Sequence, residues 1–195
     1  MTTSAVSDPV ARDLLQYLQQ SRDRVLRGLD GLGEYDIRRP LTPSGSNLLG
    51  LVKHLAGIEL STFGECVGRP SGIRLPWVDD GSVWDGADMW ATADQSREYL
   101  VGLYRQAWAH SDASVAELPL SAPAHVAWWP AARQATTLGH LLTRTVAETA
   151  QHAGQIDILR EGIDGRGGPD HDEMGDAQYW AGYVAQVQAA ADRHR

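Results

Sequence analysis

Residues 136–162 read TTLGHLLTRTVAETAQHAGQIDILREG. Within this stretch Leu138, Leu141, Thr145, Glu148, His152, Ile156 and Leu159 recur at steps of three or four. That is the period of a helix face turned to a core, so the stretch reads as one long helix. Two positions of the stripe are ionisable. Glu148 and His152 are four residues apart and therefore lie side by side on one face. An ionised carboxylate among apolar side chains needs a cation, a hydrogen-bond network or a metal. On an exposed helix the same spacing is an ordinary ion pair; its position inside an apolar stripe is what favours a metal. His54, beside the stripe of an earlier helix, is the third candidate ligand.

The rest of the chain supplies partners for that helix. A first helix is predicted from Asp8 to about Leu29, with Val10, Leu14, Leu15, Leu18, Val25 and Leu29 as its apolar positions and Gly31 and Gly33 as stops. Residues 35–45 carry Pro40 and Pro43 and read as loop. Ser46 or Asn47 would cap a second helix reaching Val67, ended by Gly68 and Pro70, with Leu48, Leu51, Leu55, Ile58 and Thr62 on its buried side. Residues 71–91 have no period and read as a long loop over one end of the molecule. A third helix is predicted from near Thr92 to about His110, a loop over 113–135, and a last helix from about Asp176 to Asp192. No strand pattern exceeds a few residues. The expected architecture is all-α: an up-down four-helix bundle at about 8–162, with long inter-helix loops and an extra C-terminal loop and helix at 163–195. The whole chain, 1–195, is expected to form a single domain.

Composition narrows the function. The net charge is −8 and Lys53 is the only lysine, which argues against nucleic-acid binding. No apolar run suggests a signal peptide or a membrane span, and the single cysteine, Cys66, excludes an internal disulfide. A cytoplasmic protein without nucleic-acid or membrane partners is expected. Cys66 reads as a small buried residue, with nothing nearby to lower its pKa. The acidic residues Asp79, Asp80, Asp85 and Asp88 lack calcium-loop spacing and read as surface charge. Trp77, Trp84 and Trp90 are candidate pocket walls, with core or interface as the alternative. His140 is expected to face solvent or a loop, and the group around His171 to be a solvated acidic loop.

Two His and a carboxylate on facing helices form a three-ligand set with a coordination position left for water or substrate. The set suits zinc, and also iron, nickel or manganese. Gln155, on nearly the same helix face as Glu148, is placed to hydrogen-bond a ligand. Arg144, His125 and Trp129 are further candidates for contact with a cofactor or substrate. Dimerisation through an apolar helix face is compatible with the pattern, which does not identify that face.

Two segments, NLLGLVKHL (47–55) and ETAQHAGQ (148–155), are similar to the signature helices of the DinB-like superfamily. That superfamily includes the YfiT-type proteins and mycothiol-dependent maleylpyruvate isomerase. The pieces Leu75-Pro76-Trp77, Tyr104 to Trp108 and His125 to Pro130 resemble its actinobacterial branch. The resemblance implies a four-helix bundle holding a divalent metal, usually zinc or nickel, and a His–Glu–His triad at His54, Glu148 and His152. It further implies a metal-dependent thiol S-transferase that adds a metal-bound thiolate, from mycothiol as cosubstrate, to an electrophilic small molecule. Metal-assisted hydrolysis and a non-catalytic, stress-related metal-binding protein are the alternatives. The isomerase has an additional C-terminal domain that this sequence does not show. The branch often has His one turn before the metal Glu, where this chain has Arg144.

Overall fold

A computed structural model describes residues 6–168 and 170–195. The helices are α1 (Pro9–Arg27), α2 (Glu34–Arg38), α3 (Leu48–Phe63), α4 (Pro76–Asp79), α5 (Arg97–Glu117), α6 (Leu138–Asp164), α7 (His171–Met174) and α8 (Ala177–Asp192). Two three-residue strands, β1 (Pro123–His125) and β2 (Ala135–Thr137), pair antiparallel just before α6. The expected all-α bundle is therefore present, built from α1, α3, α5 and α6.

Its helix directions follow from what meets at each end. Phe63 at the end of α3 packs with Val115 near the end of α5 and with Leu138 and Ala11 at the starts of α6 and α1. At the opposite end, Arg160 of α6 donates to the carbonyls of Arg27 and Gly28 at the end of α1. So α1 and α6 run one way and α3 and α5 the other. The long connection between α3 and α5 returns the chain along the bundle so that these two helices lie parallel, and the all-α bundle runs up-down-down-up where a simple up-down order was expected.

Capping explains most boundaries. Asp8 accepts from the N–H groups of Val10 and Ala11, Asn47 from Gly50, Ser96 from Tyr99 and Thr137 from His140. Several expectations shift. Residues 34–38 form the short helix α2, burying Ile37, where a loop was expected. Helix α3 ends at Phe63, and a single 3₁₀ turn (Glu65–Val67) follows. Helix α5 starts at Arg97, capped by Ser96, rather than near Thr92, because Arg38 holds the Thr92 and Gln95 carbonyls in a turn. It runs on past His110 to Glu117, where the Ser114 hydroxyl ties it to the Phe63 carbonyl. Residues 71–91 contain α4 and a 3₁₀ turn, Ser82–Asp85. Helix α8 has no buried residue and leaves Tyr183, Val184 and Val187 exposed.

The inner end of the 71–91 segment is clamped to one stripe of α3. Asn47 Nδ2 donates to the Met89 carbonyl at 3.0 Å, and Lys53 Nζ donates to the carbonyls of Ala87 at 2.5 Å and Trp90 at 3.0 Å. Between them, a Cβ at Gly50 would fall on the Met89 carbonyl. Gly50→Ala should therefore push the segment off α3 at a cost of about 1–3 kcal/mol, the usual range for overpacking. Urea unfolding would show it, and an unchanged midpoint would mean that the segment gives way freely.

A second polar group lies inside the bundle. Arg22 and Glu59 are each fully buried, and the guanidinium meets the carboxylate through two bonds, Nε–Oε1 at 2.9 Å and Nη2–Oε2 at 2.5 Å. Arg22 also donates to Asp112 at 2.9 Å. Burial opposes the charge on Arg22, but Glu59 and Asp112 hold its pKa above the ordinary value. Burial pushes the Glu59 carboxyl up, and Arg22 pulls it back. This contact joins α1 to α3 across the bundle, and neither residue stood out in the sequence.

Candidate metal centre

His54 projects from the middle of α3, and Glu148 and His152 from the middle of α6. The two helices are antiparallel neighbours, so the side chains meet between them. Each residue offers one ligand atom, and the three atoms lie within 4.8 Å of one another. Glu148 Oε1 is 3.7 Å from His54 Nε2 and 3.4 Å from His152 Nε2. The imidazole rings are 5.0 Å apart and inclined at 76°. All three side chains are part-buried, and the rest of the α6 stripe behaves as its period requires: Leu138, Leu141, Thr145 and Ile156 are buried.

Both imidazoles are held from behind. Asp88 Oδ2 lies 2.6 Å from His54 Nδ1, and Gln155 Oε1 lies 2.7 Å from His152 Nδ1. Each oxygen accepts a hydrogen bond from the Nδ1–H, which turns the two Nε2 atoms toward Glu148. Such outer partners fix the tautomer and aim of a ligating histidine. Two imidazoles and a carboxylate aimed at one point suit a divalent ion, zinc among them.

Asp88 corrects the reading of the Asp79–Asp88 group as surface charge. Its carboxylate is only 13% exposed. Burial alone would raise its pKa, yet the hydrogen bond and charge of His54, with Lys53 nearby, keep it below the usual carboxylate range. No local spacing marks it, because it reaches the site from 34 residues downstream of His54. Asp88→Asn keeps the size of the side chain but loses the anionic acceptor. It should weaken divalent-metal affinity about 10–100-fold, as loss of an outer partner does. A competition titration against a chelator measures this, and an unchanged constant would remove Asp88 from the site.

The other sequence candidates divide. Arg144 lies one turn before Glu148, with Nη2 3.7 Å from Glu148 Oε2, and packs on Trp129, its guanidinium carbon 5.4 Å from the ring centroid. Both line a small cavity beside Glu148, with Ile58, Thr62, Cys66 and Leu141. Its volume is about 30 Å³, enough for a water. Ile58 and Thr62 thus border the cavity instead of belonging to the buried stripe of α3. His125 is a correction: it is exposed at the end of β1 while its neighbours Ala124 and Val126 turn inward, and it does not border the cavity. Trp77 is buried under the Lys53 ammonium, and Trp84 and Trp90 are largely exposed, so none of the three is a wall of this cavity. Cys66 is buried, and burial pushes its thiol up to about 11. His140 is exposed and meets Trp129 edge-on. His171 stacks on Trp180, away from the centre.

This arrangement of helices, with His54, Glu148 and His152 facing one another, is that of a DinB-like helical bundle. The family described as Mycothiol-S-transferase matches residues 13–165, and the chain belongs to that family. A crystal structure described as the conserved protein of locus from Enterococcus faecalis shares the fold, with a TM-score of 0.62 at 13% identity, covering 82% of this chain and 100% of that one. No curated protein matches the sequence significantly. Among the described residues, no helix is long and apolar enough to cross a membrane.

Proposed function

We propose that the protein is a metal-dependent thiol S-transferase that joins mycothiol to an electrophilic small molecule, with His54, Glu148 and His152 as the metal ligands. The observation that carries the metal is the convergence of these three side chains, with Asp88 and Gln155 setting both rings. The family supports the thiol. A divalent ion, zinc or nickel, would lower the pKa of a bound thiol and so supply a nucleophile near neutral pH. The chain's own residues do the rest. His54 and His152 present their Nε2 atoms, and Glu148 contributes negative charge to the centre. Trp129 and Ile58 form an apolar wall beside it that limits water.

The one-water cavity favours a second reading, metal-assisted hydrolysis. Thiol dependence separates the two. Zinc-loaded protein is mixed with an aryl chloride, with and without mycothiol. Thioether formation above the uncatalysed rate, requiring both metal and mycothiol, supports the transferase. Release of a phenol without thiol supports hydrolysis, and no turnover with either leaves a binding protein.

A further inference from the structure

We propose that Arg144 makes this centre selective for electrophiles that carry a carboxylate. This rests on the transferase reading and deepens it. Most arginines among the described residues already hold a carboxylate closely: Arg24 with Asp157 at 2.5 Å, Arg69 with Glu117 at 2.6 Å and Arg160 with Asp164 at 2.9 Å are examples. Arg144 does not. Its nearest carboxylate oxygen is 3.7 Å away, and that oxygen belongs to Glu148. Once Glu148 is committed to a cation, Arg144 has no anion of its own. Among the described residues its guanidinium makes no hydrogen bond, so its donors are free for a planar carboxylate.

The setting favours an anion with an apolar body. Arg144 lines the cavity beside Glu148, and its guanidinium rests on Trp129. A second cation, Arg133, lies 5.7 Å from the same indole centroid and has no ion pair among the described residues. A ligand seated on Trp129 would place its carboxylate between these charges and its reacting carbon toward the three ligand residues. In a chain of net charge −8, such a local excess of positive charge also steers small anions to the mouth.

The test pairs an acid with its amide of the same shape. Benzoate and benzamide are titrated into the zinc-loaded protein, followed by the indole N–H resonance of Trp129. Benzoate should bind about tenfold more tightly, the equivalent of one modest ion pair. Arg144→Gln should abolish that preference and Arg144→Lys keep part of it. Equal binding to the wild type overturns the proposal. So does a preference that survives Arg144→Gln, which would assign the carboxylate to the metal.

Turnover then compares 4-chloro-3-nitrobenzoate with its carboxamide, each corrected for its uncatalysed rate. The sulfur–carbon bond forms, chloride leaves with the bonding pair, and the thiol proton passes to solvent. The kcat/KM ratio of acid to amide should fall about tenfold in Arg144→Gln. If the wild type turns over neither compound, the transferase reading fails while the titration still decides the carboxylate site. Comparing N-acetylcysteine with its amide as the thiol is the last arm. A preference there that depends on Arg144 would put the anion on the thiol and overturn the assignment to the electrophile.

Discussion

Arg22→Met lowers the unfolding free energy by about 3–5 kcal/mol, because it strands the Glu59 carboxylate in a site without solvent. For a chain of this size that corresponds to a fall in Tm of about 10 °C. The loss is larger than that of any surface ion pair, since the partner left behind cannot turn to water. Arg22→Met with Glu59→Leu should recover most of it, because the charge and its desolvation disappear together. Asp112 is half-exposed and tolerates the change. The pH dependence gives an independent sign. Without Arg22, the folded-state pKa of Glu59 stands above its unfolded value, so the folded state binds more protons and stability falls as pH rises. The gap between variant and wild type should therefore narrow on going from neutral pH toward pH 5. A single variant that loses less than 1 kcal/mol, or a gap that widens in acid, would show that the pair is not held as described.

The second large effect is on metal content. On the proposed centre, Glu148→Ala removes the only anionic ligand, and the affinity for a divalent ion falls more than about 100-fold, beyond the cost of losing an outer partner. Protein purified without a histidine tag and analysed by elemental mass spectrometry should carry close to one ion per chain as wild type and almost none as Glu148→Ala. Circular dichroism should stay helical, since Glu148 packs at the edge of the core. Full metal retention in Glu148→Ala would falsify the ligand assignment. Full retention in Arg22→Met is the matching control, because that residue acts on the fold alone.

The sequence showed what is written at helical spacing. Helix α6 and the side-by-side placement of Glu148 and His152 follow from one 3.6-residue period, and His54 followed from a second helix and the family likeness. What it did not show depends on distance along the chain. Asp88 looks like any loop aspartate until the loop folds back onto α3. Arg22 and Glu59 are ordinary surface types on amphipathic helices and become core residues only because each finds the other. Helix α5 outruns its expected end near His110, and Ser111 and Ser114 lie inside it. In the fold their hydroxyls bond to the Ala107 and Phe63 carbonyls and so lose the competition with the backbone. The start of α5 was missed because Arg38, more than fifty residues upstream, shapes the turn before it.

The grip of α3 on residues 87–90 has a consequence for how this protein can change. Asn47 and Lys53 hold carbonyl oxygens, and Gly50 makes room for another, so α3 recognises the course of the main chain and not the identity of its side chains. The exposed Trp90 is therefore free to drift under mutation, while Ala87 and Met89 are held by packing against the core and Asp88 is fixed by chemistry. In the outer arc before them, Leu75 and Trp77 belong to the core, and exposed residues such as Trp84 can be exchanged without disturbing the histidine behind it. The molecule thus separates a part that evolution can rewrite from one aspartate that it cannot.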